Sequence, residues 1–142
     1  MSRKNGMYIN FIKFYCILYQ KNFKIFSKIL YKFNKIIFSN DIPPTVKIGK
    51  NLVLPHYGLG VVIHPRTVIG DNVTIYQNVT IGSRNKVGPP LIEDNVLIGA
   101  GACVLGKIVV ASGTQIGANA VVVKDTMSDK VYVGVPAKEV EK

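Results

Sequence analysis

Histidine is the side chain best suited to moving protons near neutral pH, and this chain of 142 residues holds only two, His56 and His64. His56 lies in the segment LVLPHYGLGVV, residues 52–62, between a proline and a glycine-rich turn. There it is a candidate general base, a candidate metal ligand, or only a polar residue at a bend. Catalytic zinc usually keeps three protein ligands, so two histidines disfavour a three-imidazole zinc site such as that of a carbonic anhydrase.

The positive charge of the chain is concentrated at its N-terminal end. The formal net charge is +10, and residues 1–40 contribute +8 because they hold eight basic and no acidic residues. Residues 41–142 therefore carry only +2, and we expect no nucleic-acid partner. Two cysteines do not favour a disulfide framework, which predicts a cytoplasmic protein.

Residues 1–40 are predicted to form a separate basic helical segment. From Phe23 to Ile37, apolar side chains recur at spacings of three and four and lysines fill the other side, which is typical of an amphipathic helix with Asn22 as its N-cap. The segment YINFIKFYCILY predicts a more apolar helix before it. We expect the two helices to pack on the main body or on a neighbouring subunit. The alternative is peripheral contact with an anionic membrane.

A six-residue repeat organises residues 41–142. Aliphatic residues occupy thirteen positions six residues apart, with two interruptions: Ile42, Ile48, Leu54, Ile63, Ile69, Ile75, Ile81, Ile92, Ile98, Val104, Val110, Ile116 and Val122. A period of six does not match the 3.6 residues of a helical turn and fits a short strand followed by a corner. Three such strands make one coil, so the repeat predicts a prism of about four coils. The interruptions predict external loops at residues 57–62 and 83–91.

The segments that carry this repeat resemble the hexapeptide-repeat acyltransferases, and within them the serine acetyltransferase-like enzymes. They are DIPPTVKIG, LPH followed by GVVI, TVIGDNVTIYQNVTIG, PPLIEDNVLIGAGACVLG, IGANAVVVKD and GVPAK. The resemblance implies a mainly β fold, a left-handed parallel β-helix with a short N-terminal α-helical segment. It also implies a homotrimer with active sites between subunits, acetyl-CoA in the groove between prisms, and no metal.

The same resemblance assigns catalytic roles. His56 matches the catalytic histidine, and Asp41 matches the aspartate that orients it. The histidine would take the proton of an acceptor hydroxyl as that hydroxyl attacks the thioester, and the carboxylate would fix its tautomer. The alternatives are a loop histidine without chemistry and, for Asp41, a turn residue before Pro43.

The resemblance also points to residues that bind CoA, through their backbone at two corners and through two lysines that could meet its phosphates. They are Gly99, Ala100, Gly101, Gly117, Ala120, Lys124 and Lys138. The alternative is that the glycines and alanines serve only the geometry of the corners and that the lysines are solvated.

Three features of serine-specific members are missing from this chain. The acidic residue before the catalytic histidine is replaced by Pro55, and the loop GSRNKVGPP lacks their second histidine. Only residues 1–40 stand where those enzymes have a much larger helical domain. We therefore expect an O-acetyltransferase acting on a sugar of polysaccharide or glycoconjugate biosynthesis, with serine O-acetylation of cysteine biosynthesis as the alternative.

Five residues are candidates for binding the acceptor: Tyr57, His64, Gln77, Arg84 and Lys86. Solvated loop residues are the alternative for Arg84 and Lys86, and a corner residue is the alternative for His64. A lipid-linked glycan acceptor would suit a basic helical segment at the inner face of the membrane. A non-catalytic scaffold that binds membrane through its helices is a further alternative.

Overall fold

Two helices precede the repeats in the computed structural model, which describes residues 6–141. Helix α1 spans Gly6–Gln20 and helix α2 spans Lys24–Phe38, close to the predicted positions. Asn22 adopts a left-handed conformation between them, and the position before α2 is Phe23, which makes no side-chain cap hydrogen bond. The prediction that Asn22 caps α2 is therefore wrong. Arg3 and Lys4 of the basic run lie outside the described residues.

Helix α1 packs against the first coil of the main body. Its buried face holds Tyr8, Ile9, Ile12, Tyr15 and Cys16. The Tyr15 hydroxyl donates a hydrogen bond to the Ile42 carbonyl at 2.9 Å, which joins the helix directly to the first aliphatic repeat position. Burial raises the pKa of the Cys16 thiol to about 12, so this cysteine stays protonated near neutral pH.

Helix α2 turns its polar side toward the rest of the chain. Its buried residues are Ser27 and Asn34, whereas Phe26, Ile29 and Phe33 are more than half exposed. Both helices therefore contact the main body, as expected, but α2 does so with its apolar face directed to solvent. None of the helices in residues 6–141 is long and apolar enough to cross a membrane.

Short strands separated by corners make up the main body. They are β1 (Lys47–Ile48), β2 (Val62–Ile63), β3 (Val68–Ile69), β4 (Thr74–Ile75), β5 (Thr80–Gly82), β6 (Leu91–Ile92), β7 (Leu97–Ile98), β8 (Cys103–Leu105), β9 (Val109–Val110), β10 (Gln115–Ile116), β11 (Val121–Val122), β12 (Val131–Val133) and β13 (Lys138–Val140). They form three sheets, ordered β1-β3-β6-β9, β4-β7-β10-β12-β13 and β2-β5-β8-β11. Each sheet is one face of a prism. Its strands pair in parallel, except that β13 runs antiparallel to β12.

The aliphatic repeat fills the interior of the prism. Twelve of its thirteen positions are buried, and Ile48 packs against them from a partly buried position. In an uninterrupted coil, Cys103 pairs with Val121, 18 residues later. Because each repeat position returns to the same face after one coil, aliphatic residues stack into columns, and the period of six is confirmed.

Two coils hold extra residues. Asp41 pairs with Val62, 21 residues later, and Thr80 pairs with Cys103, 23 residues later. The insertions leave the prism at residues 55–60 and 83–90. The predicted loops at 57–62 and 83–91 were therefore slightly misplaced, because Val62 and Leu91 already belong to strands.

The C-terminal segment covers the last strand of each face. Asp125 accepts a hydrogen bond from the backbone N–H of Val109, and Thr126 accepts one from Ala111, each at 2.9 Å. Strand β12 pairs with β10, and the backbone of Val121 bonds to Gly134 and Ala137. The C-terminal end of the prism is therefore closed on all three sides.

Candidate active site

His56 lies on a surface turn that leaves the prism after the first coil. The turn is a short 3₁₀ helix, Pro55–Gly58, in which His56 and Tyr57 adopt left-handed backbone conformations with φ of 54° and 57°. Such conformations are strained for residues other than glycine and require support from the surroundings. The His56 side chain is exposed, and no residue in the range 6–141 forms a hydrogen bond with its imidazole ring.

Asn40 holds this turn in place from below. Its side-chain amide donates hydrogen bonds to the Tyr57 carbonyl at 3.0 Å and to the Tyr8 hydroxyl at 2.7 Å. Its side-chain oxygen accepts a hydrogen bond from Asn34 of α2 at 2.8 Å. Asn40 is buried, so one residue joins both helices to the backbone next to His56.

The Tyr57 ring packs on the helices and is half exposed. Its centroid lies 5.5 Å from that of Tyr8 and 5.7 Å from that of Phe38. Offset and edge contacts of this kind favour a fixed ring position. The ring of this candidate acceptor-binding residue is therefore packed against the helical segment as well as open to solvent.

The Asp41 carboxylate is bound by α2. The Tyr31 hydroxyl donates a short hydrogen bond to Oδ1, and Lys35 Nζ lies 2.7 Å from Oδ2. Partial burial raises the pKa of Asp41, but the hydrogen bonds from Lys35 and Tyr31 outweigh it, so the pKa is lowered and the group is ionised near neutral pH. Burial and the neighbouring carboxylate raise the pKa of Tyr31, which keeps its phenol a donor.

The predicted hydrogen bond between Asp41 and His56 is not formed in this structure. The carboxylate has its donors in Tyr31 and Lys35, whereas the imidazole lies exposed on the turn. The position of Asp41 is set by the prism, because its backbone pairs with that of Val61 and Ile63 at 2.8 Å in each hydrogen bond.

Asp41 and His64 line one cleft beside the prism. This cleft has a volume of about 460 Å³ and is also lined by Tyr31, Thr80 and Ser83. The backbone N–H of Arg66 donates to His64 Nδ1 at 3.2 Å. In the neutral ring the proton therefore sits on Nε2, which makes that atom a hydrogen-bond donor rather than a base.

The loop at residues 83–90 borders a second cleft. Lys86, Arg66 and Lys107 line it together with the single carboxylate of Asp125, and its volume is about 670 Å³. Arg84 is exposed in the same loop and does not line this cleft. The cleft is thus predominantly basic and favours an anionic group.

The residues predicted to bind CoA lie at corners and at the C-terminal end of the prism. A methyl group on Gly99 would approach the Ala118 nitrogen to 2.6 Å, and one on Gly101 would approach Asn119 Oδ1 to 2.2 Å. Gly99 is therefore required by the close stacking of coils, and Gly101 is favoured by its left-handed backbone with φ of 71°. The side chain of Ala120 is fully buried, so a contact of this residue with CoA requires its backbone.

The other predicted CoA-binding residues remain accessible. Lys124 and Lys138 are exposed, and Ala100 and Gly117 are partly exposed. Gln77, predicted to bind the acceptor, lies at a corner where its carbonyl accepts the Gly101 N–H at 3.0 Å. Its side-chain oxygen is buried without a partner among the described residues.

Between residues 6 and 141, no group of three or more His, Cys, Asp or Glu side chains is arranged to hold a metal ion. The sequence analysis did not predict a role for Tyr31, Lys35 or Asn40. Tyr31 and Lys35 bind the Asp41 carboxylate, and Asn40 supports the turn that holds His56. A tyrosine within a helix dominated by lysine and aliphatic residues was the available signal for Tyr31.

Serine acetyltransferases are similar to this chain in sequence. One from Staphylococcus aureus (strain Mu50) is 43% identical over 122 residues, covering 84% of this chain and 57% of the relative. One from Helicobacter pylori (strain J99) is 41% identical over 128 residues, covering 88% of this chain and 74% of the relative. The chain thus spans little more than half the length of the Staphylococcus relative. No protein-family model matches the chain.

A solved structure extends the similarity to the fold. Serine acetyltransferase from Brucella abortus strain S19 superposes with a TM-score of 0.88 at 36% identity, covering 93% of this chain and 54% of that one. The predicted fold class, a left-handed parallel β-helix with a short N-terminal helical segment, is confirmed. The predicted sugar-acceptor subtype is not confirmed, because the relatives are serine acetyltransferases.

Proposed function

The chain belongs to the serine acetyltransferase family, and on that premise we propose that it transfers the acetyl group of acetyl-CoA to a hydroxyl, with His56 as general base. The imidazole accepts the hydroxyl proton while the oxygen bonds to the thioester carbonyl carbon. When the C–S bond breaks, the CoA sulfur leaves and receives that proton from the imidazolium. Because imidazole titrates near neutrality, it serves as base in the first half of the reaction and as acid in the second.

The observation that carries this assignment is the difference between the two histidines. The His56 ring is exposed and has no partner in residues 6–141, so either nitrogen is free to accept a proton. The His64 ring already accepts the Arg66 N–H through Nδ1. We therefore assign proton transfer to His56, and to His64 a hydrogen bond to the acceptor through Nε2.

Asp41 is proposed to orient the His56 ring during the reaction. A carboxylate offers about four acceptor sites, and Tyr31 and Lys35 occupy two of them. Asp41 can therefore accept an imidazole N–H without releasing either donor. Its lowered pKa keeps it negative, which stabilises the imidazolium formed when the base takes a proton.

L-serine is the acceptor that the similarity supports best, because the relatives are serine acetyltransferases. A sugar hydroxyl is the second candidate. Pro55 directly before His56, and a loop at 83–90 without histidine, are the observations that favour it. The two acceptors differ in that only serine brings an ammonium and a carboxylate, which need charged partners.

CoA binding is proposed for the corners at Gly99–Gly101 and Gly117, with Lys124 and Lys138 facing its phosphates. Both lysines are exposed, as an anion-binding role requires. We further propose a homotrimer with its active sites between subunits. A monomeric mass in light scattering would contradict the trimer and leave the CoA site incomplete.

The deciding experiment measures CoA release with a thiol reagent. Acetyl-CoA is supplied with L-serine, or with a panel of nucleotide sugars and simple glycosides, at equal concentration. We expect turnover with one acceptor class, a loss of at least about 100-fold in His56→Ala, and a smaller loss in His64→Ala. Turnover that survives in His56→Ala would contradict the assignment of the base, and no turnover with any acceptor would contradict the proposed activity.

A further inference from the structure

Helix α2 presents a continuous apolar surface to solvent. The outer face, as we name it here, consists of side chains that are each more than half exposed: Ile25, Phe26, Ile29, Phe33, Ile36 and Ile37. They follow the spacing of one side of a helix. Large contiguous apolar patches on a soluble surface usually mark an interaction site rather than an accident of composition.

The orientation of α2 is fixed by polar contacts on its opposite side. Ser27 donates a hydrogen bond to the Tyr15 carbonyl at 2.6 Å, and Asn34 donates one to the buried Asn40 at 2.8 Å. Tyr31 and Lys35 bind Asp41. Rotating the helix to bury its apolar side chains would break these hydrogen bonds. The folded single chain therefore keeps the outer face exposed to solvent.

Lysines border the outer face along one edge. Lys24, Lys28 and Lys32 are exposed and recur every four residues, which places them on one stripe beside the apolar side chains. Residues 1–40 contain no acidic residue that could neutralise them. Lysine stems can lie along apolar surface while their ammonium groups reach outward to anions.

We propose that the outer face of α2 docks on an anionic lipid surface, with the helix lying in the plane of the interface. Phe26 and Phe33 would enter the boundary between headgroups and acyl chains, and the lysine stripe would meet lipid phosphates. A helix of 15 residues is about 22 Å long, shorter than the roughly 30 Å hydrocarbon core, so it suits lying on a membrane rather than crossing one.

A second copy of the chain fits this surface less well. Two outer faces packed together would bring two lysine stripes into proximity, with no carboxylate in residues 1–40 of either copy to oppose them. Anionic lipid supplies the opposite charge as well as the apolar layer. The charge of the face therefore favours lipid over the packing of two outer faces against each other.

The test is co-sedimentation of the full chain with vesicles, and it is independent of acetyl transfer. Vesicles of phosphatidylcholine alone are compared with vesicles that contain roughly one third phosphatidylglycerol. Phe26→Ser combined with Phe33→Ser removes apolar contact, and Lys24→Gln, Lys28→Gln and Lys32→Gln together remove charge. Lys47→Gln, Lys50→Gln and Lys130→Gln on the prism form the matched charge control, and Met127→Ser is the apolar control.

We expect binding to the anionic vesicles only, and its loss in the phenylalanine variant. Each lysine near an anionic surface contributes about five-fold to partitioning, so the helix lysine variant is expected to bind on the order of 100-fold more weakly than the prism control. Two results would overturn the proposal. One is an absence of binding by the folded wild-type chain. The other is a phenylalanine variant that changes the oligomeric mass in light scattering and binds vesicles normally.

Discussion

Lys35 Nζ lies 2.7 Å from Asp41 Oδ2 and joins the end of α2 to the first strand pairing of the prism. The same carboxylate accepts the Tyr31 hydroxyl, so two donors from one helix hold the proposed orienting group. The electrostatics of the candidate active site therefore depend on the helical segment, although the resemblance that identified Asp41 lies in the repeats.

Removing Lys35 is expected to raise the pKa of Asp41. In the folded chain that pKa is lowered, since the Lys35 and Tyr31 hydrogen bonds outweigh the effect of burial. In Lys35→Met it should rise toward its usual range, and in Tyr31→Phe it should rise by a smaller amount. A carboxyl NMR titration of Asp41 measures the change directly. An unchanged titration curve in both variants would contradict the described contacts.

The same pair predicts a pH dependence of stability. A lowered folded-state pKa stabilises the fold above the unfolded value of about 3.9, and this contribution is lost as the pH falls through the folded-state value. Near neutral pH, the free energy of unfolding of the wild type should exceed that of Lys35→Met by less than about 1 kcal/mol, because the Lys35 and Asp41 side chains are both solvent-accessible. Thermal melting across the acid range should show the two proteins converging. A difference that grows toward low pH would contradict the expected sign.

Asn40→Ala should weaken both the fold and the catalytic turn. It removes the Asn40 partner of the Tyr8 hydroxyl, the Asn34 amide and the Tyr57 carbonyl. Each buried polar group left unpaired typically costs about 1–3 kcal/mol. Urea denaturation measures the loss of stability. Asn10→Ala on the exposed side of α1 is the matched control and should change little. Equal stability of the two variants would mean that Asn40 does not support the turn.

His64→Ala should raise the KM for the acceptor by about ten-fold and leave the KM for acetyl-CoA unchanged. The reason is the Nε2–H donor directed by the Arg66 contact, because loss of one such hydrogen bond costs about 1.4 kcal/mol. Steady-state kinetics with the acceptor identified by the CoA-release assay separate the two constants. An effect confined to kcat would instead place His64 in the chemical step.

Gly99→Ala should destabilise the prism because the coils stack closely at that corner. The new methyl group would lie 2.6 Å from the Ala118 nitrogen, and overpacking against backbone typically costs about 1–3 kcal/mol. Gly6→Ala is the control, since nothing lies within 4 Å of its methyl position. Denaturation midpoints decide the question. A stable Gly99→Ala that binds CoA weakly would shift the role of Gly99 from packing to ligand binding.

The repeat predicted the fold well because its signal is additive. Each position, from Ile42 to Val122, contributes the same weak preference for the interior, and a one-residue error in register would expose a column of aliphatic side chains. The positions of the insertions were harder to predict, since the repeat does not show at which residue near His56 the chain leaves the prism. His56 and Tyr57 adopt left-handed backbone conformations in this turn, and the residue types at these positions do not indicate them.

The orientation of α2 could not be predicted from the sequence, for a physical reason. An amphipathic pattern shows which side chains share a face, and the usual assumption is that the apolar face is buried. Here Ser27 and Asn34 find buried partners on α1 and at Asn40, and those specific bonds fix the opposite face inward. The hydrogen-bond partners of Asp41 were unpredictable in the same way, because they depend on where α2 lies relative to the prism.

The closed C-terminal end of the prism has a consequence for solubility in the cell. Strands with free N–H and carbonyl groups can pair with a strand of another chain, and repeated pairing of this kind builds fibres. Asp125, Thr126, β12 and the segment at Gly134–Ala137 occupy those groups on all three faces. A proteolytic cut before residue 123 would remove this cover and leave free N–H and carbonyl groups that can pair with another chain.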